Sequence, residues 1–162
     1  MADSANESSP GRLVLFVCTG NTCRSPMAAA LFNQAAGDTG YRAESAGLAA
    51  FHGDPATDAA VRVMARLSNM DLSSHRSRAL SPWLVDQAEW ILTMTAAQTL
   101  TLRQIFPGHA AKIRTLGEMT GQGQVTDPFG GDDDVYLATA LQLQSMIARF
   151  IEVLQQEDIP QT

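Results

Sequence analysis

Two side chains with complementary chemistry stand close together in Cys18-Thr19-Gly20-Asn21-Thr22-Cys23-Arg24-Ser25-Pro26. The apolar run Leu13 to Val17 precedes this stretch, and a helix-like run, Met27 to Phe32, follows it. A strand, a tight loop and a helix in that order leave the first N–H groups of the helix unpaired, with the positive end of the helix dipole behind them. That is a cradle for an anion, and phosphate fits it. Arg24 presents a planar fork for two phosphate oxygens. Cys18 falls at the floor of the cradle, and a thiol beside a helix start and an arginine ionises readily. A thiolate facing a bound phosphate is a nucleophile aimed at phosphorus. Gly20 suits a sharply folded backbone, Asn21 tolerates the left-handed conformation, and Pro26 fits the first helical turn. Ser25 can donate a hydrogen bond to the thiolate. Taken singly, Cys18 reads as a strand-end cysteine and Arg24 as a surface arginine; their spacing between strand and helix reads as phosphate chemistry.

Cleaving a phosphate ester or phosphoramidate through a phosphocysteine needs a proton for the leaving group and later a base for water. One carboxyl group can do both. Asp127 is the candidate, in the glycine-rich stretch Gly117 to Gly131 and followed by Pro128. On spacing alone an Asp-Pro pair reads as a turn. Asp132, Asp133 and Asp134 read as a solvated helix start, where acids suit the dipole.

The elements that must carry these groups follow from hydrophobic pattern and punctuation. Strands are expected over Arg12 to Val17, Tyr41 to Ser45, Trp90 to Met94 and Ile113 to Leu116. Helices are expected from Pro26 to about Ala36, from an Asp54-Pro55 cap to about Leu67, from Ser81-Pro82 over Trp83 and Leu84, from a Thr95–Gln98 capping box to Ile105, and from about Asp134 to Gln155. Val61, Met64 and Ala65 form the apolar stripe of the second helix; Leu137, Ala140, Leu141, Ile147, Phe150, Ile151 and Leu154 form that of the last. Gly117 to Gly131 reads as one long loop, a length usually associated with function. Strands alternating with helices predict an α/β fold: one three-layer domain, a four-stranded parallel sheet with helices on both faces, spanning residues 12–157. Ligands in such folds bind at the carboxyl ends of the strands, where the Cys18 loop lies. Residues 1–11 are polar and acidic and read as a disordered tail.

The chain has 162 residues, enough for one domain, with 45% hydrophobic content and a net charge of −6. That charge disfavours nucleic-acid or anionic-membrane partners, which need a basic face. No apolar run is expected to span a bilayer, and the N-terminal residues lack the pattern of a signal peptide, so the expected location is cytoplasmic. Two cysteines there favour chemistry over structural disulfides. His52, His75 and His109 are scattered, with no zinc-like spacing. No metal or cofactor is expected, because loop amides and Arg24 supply the positive charge. The oligomeric state is left open.

The loop resembles the signature of the low-molecular-weight protein tyrosine phosphatases. Asp127-Pro128-Phe129-Gly130-Gly131 resembles that family's second signature, and Ser45-Ala46-Gly47 and His75 also match. The similarity runs from about residue 12 to residue 155, and Thr22-Cys23-Arg24 with the Asp127 loop places the chain nearest the bacterial protein arginine phosphatases. The resemblance implies a cysteine-dependent protein phosphatase acting on phosphorylated protein, with Cys18 as nucleophile, Arg24 holding phosphate and Asp127 as acid then base. It further implies a supporting network of Asn21, Ser25, Ser45 and His75 around the loop formed by Thr19, Gly20, Asn21, Thr22 and Cys23. Phe51 falls where the family has an aromatic pocket wall, Phe129 replaces a common tyrosine, and with Thr19 and Thr22 they would shape the substrate pocket. Ala29 stands where the family usually has glutamate.

Threonine at position 22, where tyrosine phosphatases usually carry a bulky aliphatic residue, supplies a hydroxyl to a phosphorylated guanidinium and favours phosphoarginine; phosphotyrosine is the alternative. An arsenate reductase of this fold needs a further downstream cysteine, which the chain lacks. A phosphocysteine carrier would not need Asp127, and an inactive binding module would not need Cys18, Arg24 and Asp127 together. Cys23, close to Cys18 along a curled loop, makes the site a candidate for reversible oxidation.

Overall fold

A computed structural model describes residues 11–157. The expected tail therefore lies outside the described residues, apart from Gly11. Four strands, β1 (Arg12–Cys18), β2 (Tyr41–Gly47), β3 (Ala88–Thr93) and β4 (Ile113–Thr115), form one parallel sheet in the order β2-β1-β3-β4. Six helices surround it: α1 (Arg24–Ala35), α2 (Asp58–Ser68), α3 (Pro82–Gln87), α4 (Ala96–Ile105), α5 (Leu116–Thr120) and α6 (Asp133–Glu157). This is the expected three-layer α/β domain.

β1 is buried along nearly its whole length, as its unbroken apolar run requires of a central parallel strand. Its side chains alternate between two cores. Val14 and Phe16 join Met27 and Phe32 of α1, Met64 of α2 and Phe150 of α6 on one face; Leu13, Leu15 and Val17 join Leu84, Ile91 and Leu102 on the other. Both strand neighbours of β1 end beside Cys18, with Cys18 paired to Gly47 and Val17 to Thr93. The chain order reverses between β1 and β3, so the crevice at their carboxyl ends is the natural ligand site.

Several expected boundaries move for identifiable reasons. Helix α2 starts after Thr57, whose hydroxyl caps Ala60 N, and not at Asp54-Pro55. Asp54 instead exchanges hydrogen bonds with Ser77, and Pro55 bridges to Arg76 in extended conformation. Leu116 leaves the fourth strand to open α5, because Thr115 and Glu118 form a capping box; the expected long loop thus begins with a helical turn. β3 starts at Ala88 and stops at Thr93. In α2, Ala65 faces solvent while Ala60 and Val63 join Met64 inside. In α6, Leu141 is 46% exposed, and Leu143 and Met146 take the inner face. By length and composition α6 could cross a membrane, contrary to expectation, yet its stripe of Ala140, Leu143, Ile147, Phe150 and Leu154 packs into the core against α1, α2 and α5.

Candidate active site

The loop between β1 and α1 winds around one buried side chain. Asn21 sits fully buried at φ 58°, so the left-handed turn falls on Asn21. Gly20 is not the sharp corner: a Cβ there meets only Thr22 Oγ1, at 3.7 Å. Arg78 N donates to Asn21 Oδ1 at 3.0 Å, which fixes the amide orientation. Its two Nδ2 hydrogens then go to Ser25 Oγ at 2.9 Å and Ser45 Oγ at 3.0 Å. His75 Nε2 lies 2.8 Å from Asn21 O. These bonds join Asn21, Ser25, Ser45 and His75 into one network.

Ser25 is the inner end of that network. Its oxygen accepts from Asn21, so its own O–H is left for Cys18 Sγ, 3.0 Å away and buried. Burial lowers the His75 imidazole below its ordinary value of 6.5, and Arg76 and Arg78 add to this; the Asn21 carbonyl pulls the other way. A neutral ring can bond that carbonyl only with its hydrogen on Nε2.

Gly47 explains why the second strand ends in Ser-Ala-Gly. A Cβ there would stand 2.7 Å from Thr19 O and from Ala50 Cβ. The loop backbone can close on β2 only over a bare Cα. Leu48 N and Ala49 N then donate to the Cys18 and Thr19 carbonyls, each at 2.9 Å.

Arg24, 5% exposed, opens α1. Its Nη1 donates to Val125 O at 3.1 Å, and its Nη2 lies 3.6 Å from Asp127 Oδ2. Its Nε is buried without a hydrogen-bond partner. Anchoring Nη1 leaves the Nε–Nη2 edge as a two-donor fork. Val125 is itself pinned by Val125 N to Met94 O at the end of β3. The Asp127 loop thereby reaches the Cys18 loop through Arg24. Asp127 Oδ1 accepts from Phe129 N, leaving the carboxylate 56% exposed. A Cβ at Gly131 would press on Val135 at 2.8 Å, so the following turn needs glycine to enter α6. Of the three acids at that helix start, Asp132 caps Val135 N and Asp133 pairs with Arg62 and Arg66, which makes the start more than a solvated acidic run.

A cavity of about 700 Å³ opens above this arrangement, lined by Thr19, Arg24, Thr95, Ala97, Gln98, Gln124, Val125, Thr126 and Asp127. Of the candidate residues, Thr19, Arg24 and Asp127 line it together. Thr22 is half-buried beside α2, its carbonyl accepting from Thr57 N, and does not line this cavity. Phe51 and Phe129 are 78% and 72% exposed and do not line it either. Cys23 is buried in the core, where burial pushes its thiol up and nearby Cys18 adds to the effect. Sequence reasoning missed Gln98, Gln124 and Val125. The Thr95–Gln98 capping box was visible, but nothing in it says that the same glutamine reaches Thr19 across the sheet.

The family described as low molecular weight phosphotyrosine protein phosphatase matches residues 13–159. A protein-arginine-phosphatase of Geobacillus stearothermophilus is 38% identical over 147 residues, covering 89% of this chain and 97% of that one. A probable low molecular weight protein-tyrosine-phosphatase, EpsP, of Ralstonia solanacearum is 42% identical over 118 residues, covering 73% and 79%. Among solved structures, a cysteine-to-serine mutant of the YwlE arginine phosphatase with a phosphorylated active site serine superposes with a TM-score of 0.85 at 35% identity, covering 90% and 97% of the two chains.

Proposed function

The chain belongs to the low molecular weight phosphotyrosine protein phosphatase family, and on that premise we propose that it removes phosphate from arginine side chains of proteins through a phosphocysteine at Cys18. The observation that carries the phosphate chemistry is the Arg24 guanidinium. Burying a charged donor without a partner is costly, and the orphaned Nε lies on the fork edge beside Asp127. Two oxygens of a phosphoryl group satisfy that edge.

The reaction runs in two halves. The Cys18 thiolate attacks phosphorus, the S–P bond forms, and the bond to the leaving nitrogen breaks as Asp127 hands it a proton. Arg24 and the loop amides hold the equatorial oxygens. Water then attacks the phosphocysteine, Asp127 takes the water's proton, and the Cys18 sulfur leaves as a thiolate bonded to Ser25. Inorganic phosphate is the product. The relative with a phosphorylated active site serine in place of cysteine supports a covalent intermediate.

Polar lining supports arginine over tyrosine. Thr95, Gln124 and Thr126 line the cavity beside Ala97 and Val125, and their hydroxyl and amide groups suit a donor-rich guanidinium better than a phenol ring, which packs best on apolar surface. The exposed Phe51 and Phe129 remain available to close over a bound substrate. Both cysteines are free thiols, which suits a cytoplasmic enzyme. The test is a side-by-side measurement of wild-type kcat/KM on matched peptides carrying phosphoarginine or phosphotyrosine. Preference for phosphoarginine supports the reading. Preference for phosphotyrosine in the wild type replaces it with the tyrosine reading.

A further inference from the structure

Gln98 crosses from α4 to the nucleophile loop. Its Oε1 accepts from Met94 N at 2.9 Å and Thr95 N at 3.1 Å, so the amide cannot flip without losing both bonds. Its Nε2 is therefore the end that meets Thr19 Oγ1, at 3.1 Å, and it must donate. Gln98 is buried, while Thr19 is exposed next to Cys18, and both line the cavity above Arg24. One lone pair of the Thr19 hydroxyl is taken, and its hydrogen is free to point into the cavity.

We propose that Gln98 is a positioning residue that fixes the Thr19 hydroxyl as a hydrogen-bond donor to a non-bridging phosphoryl oxygen. The inference rests on the phosphate-binding reading of the site and goes beyond it, because it assigns the third wall of the cradle. Arg24 and the loop amides are the other donors of the cradle, and Thr19 lines the same cavity as Arg24, at the crevice where the sheet order reverses. An unheld threonine hydroxyl spins and offers an acceptor as readily as a donor, which repels a phosphate dianion. Gln98 removes that freedom before substrate arrives, so the donor is preorganised. Because the contact is to the phosphoryl oxygens, it acts alike on every leaving group.

The alternative role for Gln98 is purely structural, as the third residue of the α4 capping box. Gln98→Glu separates the two. Glutamate keeps the capping box, but it only accepts, so the Thr19 O–H turns towards the carboxylate and away from substrate. The charge it adds is controlled by making the same change in Thr19→Val. Binding of inorganic phosphate is measured by calorimetry, with kcat and KM for p-nitrophenyl phosphate alongside. Thr19→Val should weaken phosphate about tenfold, and Thr19→Ser should restore it to within about twofold, as for one hydrogen bond to a charged group. Gln98→Glu should weaken phosphate about tenfold more in the wild-type background than in Thr19→Val, with thermal stability unchanged. The Thr19→Val loss in kcat/KM should be equal for phosphoarginine and phosphotyrosine peptides. An additive cycle, or Thr19→Val binding phosphate as tightly as wild type, overturns the positioning role while leaving the phosphatase reading intact. A wild type that binds no phosphate overturns both.

Discussion

Replacing Ser25 with alanine removes one buried hydroxyl that two groups depend on. It lies 3.0 Å from Cys18 Sγ and accepts from Asn21 Nδ2 at 2.9 Å. A hydrogen bond to a charged group is worth about 1.5–3 kcal/mol, which at about 1.4 kcal/mol per decade is a factor of roughly 10–100 in rate. The loss should fall where sulfur carries most charge. With p-nitrophenyl phosphate the leaving group departs easily, so expulsion of the thiolate from phosphocysteine becomes the slow step. We expect kcat to drop roughly 10–100-fold and a pre-steady-state burst of p-nitrophenol, near one per enzyme, that exceeds any burst of the wild type. A separate effect is on stability. One Asn21 hydrogen is left buried and unpaired while the other still reaches Ser45, at a cost of about 1–3 kcal/mol in denaturant unfolding. Stopped-flow absorbance reads the first effect and urea titration the second. If stability falls while kcat stays within about twofold of wild type, Ser25 only holds the loop, and its direction towards sulfur has no part in the chemistry.

Asp127→Asn should slow substrates with poor leaving groups by ~10²–10⁴-fold more than p-nitrophenyl phosphate; equal losses on both would make Asp127 a binding group. Acid should destabilise the fold through His75. Its folded value lies below 6.5, so the unfolded chain binds the extra proton first, and stability falls as pH drops through 6.5 towards the folded value. His75→Gln, which keeps a donor for the Asn21 carbonyl, should flatten this slope in pH-dependent urea unfolding, and an unchanged slope would move the effect elsewhere. Peroxide should inactivate the protein, with a Cys18–Cys23 bond seen by mass spectrometry and activity restored by thiol; irreversible loss, or no such bond, would leave Cys23 as buried packing.

The strand–loop–helix around Cys18 was legible because its chemistry is local: a thiol, a guanidinium and a serine within a few residues of one another, between an apolar run and a helix. The parallel sheet was legible for the same reason, from alternation along the chain. What escaped was set by contacts between distant segments. Asn21 is held by Arg78 and His75, some fifty residues on, and neither partner announces itself in sequence. The start of α2 moved because Asp54 and Pro55 pair with the 76–77 segment in preference to capping. Leu141 fits the helical period of the last helix, yet the inner face of α6 is decided by where α1, α2 and α5 touch it. The polar wall of the cavity comes from three separate segments, so its composition could be read only once the sheet order was known.

On the proposed route phosphate passes through sulfur at Cys18. Rapid acid quench of wild-type enzyme turning over a phosphoarginine peptide, followed by peptide mapping under conditions that preserve the S–P bond, tests it most directly. That route predicts phosphate on Cys18 that appears before free phosphate does and is absent when Cys18→Ala protein is treated in the same way. Turnover at the wild-type rate with no phosphate on Cys18 at any quench time, or persisting in Cys18→Ala, would contradict it.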